Sequence, residues 1–168
     1  MSRYLKFFIL IIVLSGCQVN KNQSSTAAHE VSQSRIIACG NFNVYILNQE
    51  GTGYIRIFVD ANKYALQAEN QFDLSTTSPV LVEQLLFEED ITQTLCSDVM
   101  IVRSPKLIES KSAIEGMLSI TLNRENLSRY KQHQQYAMDI SLKGVKFTEG
   151  DSPIFIRLNA VGVGWMPG

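Results

Sequence analysis

Cys39 and Cys96 are the two side chains of this sequence whose types and spacing best suit a covalent link. Neither belongs to a CxxC motif and no histidine lies near either one, so their surroundings fit neither a zinc site nor a redox-active dithiol. In an exported chain, which the N-terminus indicates, an even pair of thiols most simply forms a disulfide. We expect a Cys39 to Cys96 bond that stabilises the fold by about 4 kcal/mol through loop closure.

Nucleophilic catalysis would have to use His133, because no other histidine follows Arg35. Such catalysis needs a serine or cysteine beside an oriented base, and the sequence has no Gly-x-Ser-x-Gly motif to present a serine. The acidic run at 88–90 lacks the alternating pattern of a calcium loop. We therefore predict no catalytic residue, no metal ligand and no cofactor. A carboxylate pair for glycoside hydrolysis stays open, because its spacing is spatial.

A polar stretch at 124–136 is the best candidate for recognition of a partner. It combines positive charge, aromatic rings and amides in one predicted connection between strands, and such loops often bind other molecules. The alternative is a soluble connection whose tyrosines pack back on the domain. The predicted partner-binding residues are Arg124, Arg129, Tyr130, Lys131, His133 and Tyr136.

The N-terminus has the three parts of an export signal. Basic residues Arg3 and Lys6 precede an apolar run at 7–14, and two small residues follow before Cys17. A membrane-spanning helix needs about 20 apolar residues, so this shorter run indicates a signal sequence.

The four residues Leu14-Ser15-Gly16-Cys17 resemble the lipobox of bacterial lipoproteins. The resemblance implies a diacylglycerol on the Cys17 thiol, cleavage after Gly16 and acylation of the new amino terminus. Several acyl chains together anchor a protein stably in a membrane. Aspartate after the lipidated cysteine favours the inner membrane in this family, and Gln18 stands here. The resemblance therefore implies an outer-membrane lipoprotein that faces the periplasm; the alternative is a plain secretory peptide.

The charge balance excludes one class of partner. The full chain has 15 basic and 16 acidic side chains, and cleavage after residue 16 would remove two basic ones and no acid. Nucleic-acid binding needs a basic surface that neutralises several phosphates, so we predict no nucleic-acid partner.

Three regions follow from the composition: a signal peptide at 1–16, a lipidated tether at 17–34 and one folded domain at 35–168. The tether is polar, with two valines as its only large apolar residues, and cannot bury enough surface to offset its ordering entropy. As a coil it would span roughly 20–25 Å. The 134 residues that remain are enough for one hydrophobic core.

Alternation of apolar and polar residues predicts strands through most of the domain. It is clearest at 114–122, 136–147 and 154–163, with a bulge at Gly144 where the phase slips by one residue. Residues 42–46, 55–59 and 64–68 predict a meander of three strands, and the apolar run at 99–102 predicts a buried strand. A strand and a helix both fit 79–89, where Pro79 at a first helical position favours the helix.

This pattern predicts an all-β domain with at most one or two short helices, an antiparallel β-sandwich of immunoglobulin-like or transthyretin-like type. A small β-barrel is the alternative. Trp165 lies beyond both cysteines, so the sequence lacks the buried tryptophan typical of true immunoglobulin domains.

The expected function is that of a non-enzymatic envelope lipoprotein, held in the membrane through Cys17, which binds another envelope protein or assists an assembly. The alternatives are an inhibitor of a hydrolase, an enzyme acting on cell-wall or lipid substrates, and a structural or adhesin subunit that accepts a donated strand.

Overall fold

The computed structural model describes residues 35–40, 42–60, 62–75, 79–97 and 105–164. The predictions for residues 1–34, for a strand at 99–102 and for Trp165 lie outside this part of the chain.

In the described residues, nine strands form two antiparallel sheets that enclose one core. The first sheet has the order β1-β2-β3-β5-β6, formed by Ile36–Cys39, Asn43–Leu47, Gly53–Val59, Val80–Phe87 and Leu107–Ser112. The second has the order β4-β7-β8-β9, formed by Glu69–Asp73, Glu115–Thr121, Tyr136–Lys146 and Ile154–Val163. One α-helix, α1 (Arg124–Lys131), and a 3-10 turn at Thr92–Thr94 complete the described elements. The predicted antiparallel sandwich is confirmed.

Alternation along the strands builds the core between the sheets. On β8, Tyr136, Met138, Ile140 and Leu142 are buried, while Asp139 between them is exposed. Because successive strand side chains point to opposite faces, each strand contributes every second residue to the same apolar interior.

The chain from 107 to 121 leaves the first sheet at the end of β6 and joins the second sheet as β7, with only two residues between the strands. Ala113 N donates to Val82 O in the first sheet at 2.8 Å, and Ile114 N donates to Lys146 O in the second at 2.9 Å. Strands that switch sheets in this way form the corners of a sandwich. β6 is consequently left as the outer strand of the first sheet.

Two glycines allow the strands at this corner to bend. Gly116 has φ +118°, and a Cβ there would stand 2.7 Å from Val145 Cα. Gly144 has φ +64° at a register shift between β8 and β9. The bulge predicted at Gly144 is confirmed.

A second bulge on β9 was not predicted. Ala160 has φ +51°, and its N–H donates to the Asp139 carboxylate at 2.8 Å. The buried set therefore changes from Ile156 and Leu158 to Val161 and Val163, whereas the regular alternation predicted over 154–163 would put Ala160 on the same face as Leu158.

The helix favoured at 79–89 is wrong, because Val80–Phe87 form β5. β5 lies between β3 and β6, and its Val80 and Val82 face the core. Pairing with two neighbouring strands satisfies the backbone hydrogen bonds of β5, and this outweighs the local preference for a helix that Pro79 indicates.

The predicted three-strand meander is also wrong in its third member. Residues 64–68 form no strand, and the next strand, β4, belongs to the second sheet. Asn70 on β4 holds this irregular stretch: its Oδ1 accepts from Gln67 N at 2.8 Å and its Nδ2 donates to Ile120 O at 3.1 Å. β3 pairs with β5 in place of the expected neighbour.

Cys39 and Cys96 form a disulfide with their Cα atoms 5.8 Å apart, as predicted. The bond ties β1 to the segment that follows β5. Ile91 in this segment is buried outside the main core cluster, and its N–H donates to Gly51 O at 3.0 Å. Arg35 adds a hydrogen bond to Thr92 Oγ1.

Candidate interaction surface

The connection between β7 and β8, where the sequence placed the partner-binding residues, is built on the helix α1. Asn123 caps its first turn, since its Oδ1 accepts from Asn126 N at 2.8 Å. Asn126 in turn accepts from Ala137 N at 2.9 Å, which fixes the helix against the start of β8.

Two of the six predicted binding residues pack into the domain. Tyr136 is 6% exposed, and its ring lies 5.3 Å from that of Tyr130 in an edge-to-face contact. The Tyr130 hydroxyl accepts from Leu66 N at 3.3 Å. Burial raises the pKa of the Tyr136 hydroxyl, and the neighbouring Tyr130 raises it further. These two rings attach α1 to the sandwich.

The other four residues, Arg124, Arg129, Lys131 and His133, are exposed along α1 and its C-terminal end. Arg129 pairs with Glu125 at 2.8 Å within the helix. His133 follows the last turn with φ +55°. The helix thus presents a modest basic surface, and the aromatic area that made it attractive for recognition is largely turned inward.

In the described residues, no group of three or more His, Cys, Asp or Glu side chains lies close enough to hold a metal ion. The α-helix in the same part of the chain is too short and too polar to cross a membrane.

A second surface, which the sequence did not point to, follows β6 together with the neighbouring end of β5 and the start of β7. Six large apolar side chains of the described residues are exposed, and five of them lie on β6, beside it on β5, or in the chain that continues into β7. We call these five the β6 corner: Leu86, Leu107, Ile108, Ile114 and Met117, which are between 36% and 57% exposed. They extend along the full length of β6, because Leu86 lies opposite Glu109 near its start and Ile114 follows its end. Exposed apolar side chains concentrated along one outer strand are typical of interaction surfaces.

The outer face of the first sheet continues from the β6 corner. Its aromatic residues interact: the Tyr45 and Tyr54 rings lie 5.2 Å apart, and Tyr54 and Phe87 lie 5.7 Å apart. Arg56 lies on the same face. It forms an ion pair with Glu83 at 3.1 Å and places its guanidinium over the Phe58 ring. Tyrosine, phenylalanine and arginine are enriched in protein interfaces.

A groove of about 300 Å³ opens on the inner side of the same corner, between the two sheets. Its lining is mainly apolar, including Ile55, Ile154 and Ile156, and its polar side chains include Gln84 and the carboxylate of Glu109. Glycoside hydrolysis needs two convergent carboxylates. The described lining holds one carboxylate and no histidine or serine, so this groove does not provide that arrangement.

Comparison of the chain with protein-family models, curated proteins and solved structures found no match. The function must therefore be inferred from the residues of the chain itself.

Proposed function

We propose that this protein is a non-enzymatic lipoprotein of the bacterial envelope that binds other proteins as an assembly or accessory module. The lipobox-like sequence that ends at Cys17 supports a lipid anchor, and the polar residues 18–34 would serve as the tether between the membrane and the domain. The outer membrane, facing the periplasm, is the proposed location.

The observation that carries the binding role is the β6 corner. Exposing one large apolar side chain is ordinary, but five along one outer strand and its continuation keep apolar surface in water at a cost of about 25 cal/mol per Å². Covering these residues with a partner recovers that free energy. The adjacent aromatic face supplies side chains that often dominate binding energy.

A photo-crosslinking amino acid introduced at Ile114 of the full-length protein in its native envelope tests the binding role. We expect covalent adducts with one envelope protein, which mass spectrometry would identify. The matched control is the same probe at Asn159, which is exposed on β9 away from the corner. A third probe at Lys131 reports on α1.

Adducts at Ile114 and not at Asn159 support binding through the corner. Adducts at Lys131 alone would keep a binding role but move it to α1, as the sequence pattern predicted. Absence of specific adducts at Ile114 and Lys131 would contradict a protein-binding function.

The anchor is tested separately by changing Cys17 to serine. The protein should lose incorporation of a palmitate analogue and leave the membrane fraction, because the thiol that carries the lipid is gone. A Gln18→Asp variant should stay lipidated and shift toward the inner membrane. Unchanged labelling and fractionation of the Cys17→Ser protein would contradict lipid anchoring.

A further inference from the structure

The strand β6 leaves one edge open in the described part of the chain, since β5 is its only neighbour there. An open edge presents backbone N–H and C=O groups that can pair with another strand. Five of the six residues of β6 are exposed, and Ile108 reaches 57% exposure. We propose that β6 pairs antiparallel with β6 of a second copy of this chain, an inference that rests on the proposed binding function and names one partner.

The charges on β6 favour this partner. An antiparallel pair centred on Ser110 places Glu109 of each copy directly opposite Lys111 of the other. The two-fold symmetry gives two such ion pairs, and opposite charges across strands stabilise pairing. Glu109 and Lys111 already lie on one face and contact each other at 2.9 Å within the strand. In the dimer each finds a second partner.

The same charges disfavour the neighbouring registers. A two-fold axis perpendicular to the sheet keeps equivalent residues of the two copies on the same side of the sheet, so each allowed register is centred on a single residue. Neighbouring registers differ by moving this centre one residue along β6. Centring on Glu109 would set two carboxylates opposite each other, and centring on Lys111 would do the same with two ammonium groups. Of these three registers, the charges on β6 favour the one centred on Ser110.

Among the described residues, the outer strand β4 of the second sheet shows the opposite arrangement of charges. β4 has β7 as its single neighbour there, and it carries exposed acids, Glu69 and Asp73, at its two ends. Self-pairing of β4 about Gln71 would place acid opposite acid, and like charges on an edge prevent association. β1 and β9 differ again, because a Gly40 to Gly164 bridge joins their ends.

A cysteine at the proposed axis gives a direct test. Ser110→Cys in the full-length protein would place two thiols on facing residues whose Cα atoms are about 4.5–5.5 Å apart, within the range of a disulfide. Native membranes treated with a mild oxidant should then contain a disulfide-linked dimer on a non-reducing gel. The native bond between Cys39 and Cys96 leaves neither of those thiols free to compete.

Ser112→Cys is the matched control on the same strand and the same face. Its two copies would lie four residues apart along the pair, about 13 Å, too far for a disulfide. The double variant Ile108→Cys with Ser112→Cys should cross-link again, because residue 108 of each copy faces residue 112 of the other. This second linkage keeps the test decisive if Ser110→Cys disturbs the strand.

Charge exchange tests the register in the Ser110→Cys background. Glu109→Lys or Lys111→Glu alone would put like charges opposite each other twice, and dimer yield should fall roughly tenfold. The combined exchange restores both ion pairs in reversed orientation and should restore the dimer.

Dimer from Ser110→Cys that exceeds dimer from Ser112→Cys, with loss and rescue by the charge variants, supports the proposal. Equal yields from the two cysteine positions, or no rescue by the combined exchange, overturn it. Failure here leaves the proposed function standing wherever the Ile114 probe still captures a different envelope protein. Failure here together with an absence of specific adducts at both Ile114 and Lys131 would remove the binding function as well.

Discussion

At the scale of single residues, His133 has a conformational role at the end of α1. Its N–H donates to Tyr130 O at 3.0 Å, and Gln134 N donates to Arg129 O at 3.0 Å. This pair of bonds closes a helix through a residue in the left-handed region, which glycine occupies most easily. His133 adopts it with φ +55° and pays the steric cost of its Cβ.

His133→Gly should therefore stabilise the domain by about 1 kcal/mol, which corresponds to a rise in melting temperature of about 3 °C. Thermal unfolding followed by circular dichroism measures it. His133→Ala is the control, since it removes the imidazole but keeps the Cβ and should give no such gain. A lower melting temperature for both His133→Gly and His133→Ala would contradict this expectation and show that the imidazole itself stabilises the fold.

For the connection between β7 and β8, the sequence indicated which residues stand out but not which way their side chains point. A polar stretch with two tyrosines fits both a binding loop and a packed connection, because residue type does not reveal which way a ring turns. Tyr136 continues the alternation of β8, and that pattern was a usable sign of its burial. The exposure of Ile108 had no such sign, because β6 lies at an edge that only the sheet order reveals.

At the scale of elements, two glycines near one corner bend strands for different reasons. Gly116 has both a positive φ and backbone atoms of Val145 in the place of a Cβ. Gly144 has a positive φ with open space around the position of a Cβ. The cost in stability of a positive φ alone can thus be compared, within one domain, with the cost of a positive φ combined with a steric clash.

Gly144→Ala should destabilise the domain by about 1 kcal/mol, because only the left-handed backbone angle is strained. Gly116→Ala should cost at least about 2 kcal/mol more, because the new methyl group must also displace β8. Urea unfolding of the two variants measures the difference. Equal losses would show that β8 moves away freely at this point.

Elements were predictable where alternation was long and punctuated by glycine, as at Gly144. Elements could not be predicted where pairing with strands distant in sequence determined the structure. Val80–Phe87 carries a sequence that suits a helix or a strand, and its place between β3 and β6 settles the matter. Ala160 forms a bulge without glycine because the Asp139 carboxylate bonds its N–H, a contact between strands that local sequence does not show.

At the scale of the whole molecule, the sandwich and its disulfide followed from composition, alternation and cysteine count. The order of strands did not, because β4 and β5 are neighbours in sequence yet belong to different sheets. The disulfide is a global constraint, since it joins positions 57 residues apart. Its contribution should appear in the cooperative unfolding of the whole domain.

Cys39→Ser with Cys96→Ser should lower stability by about 4 kcal/mol and the melting temperature by roughly 10 °C. Most of the effect comes from the larger freedom of the unfolded chain. Calorimetry of the oxidised wild type and the double variant measures it, with reduced wild type as the matched control. A melting temperature unaffected by reduction would contradict this role.

The position of the disulfide also determines how the domain bears a mechanical load. A pull on the chain ahead of Arg35 acts first on β1, whose four residues pair with β2. Peeling from that end can release Ile36 to Ala38, but at Cys39 the tension passes through a covalent bond to Cys96. The strands β2, β3 and β5 of the first sheet, which lie between the two cysteines, are thereby shielded from stepwise unzipping that starts at β1.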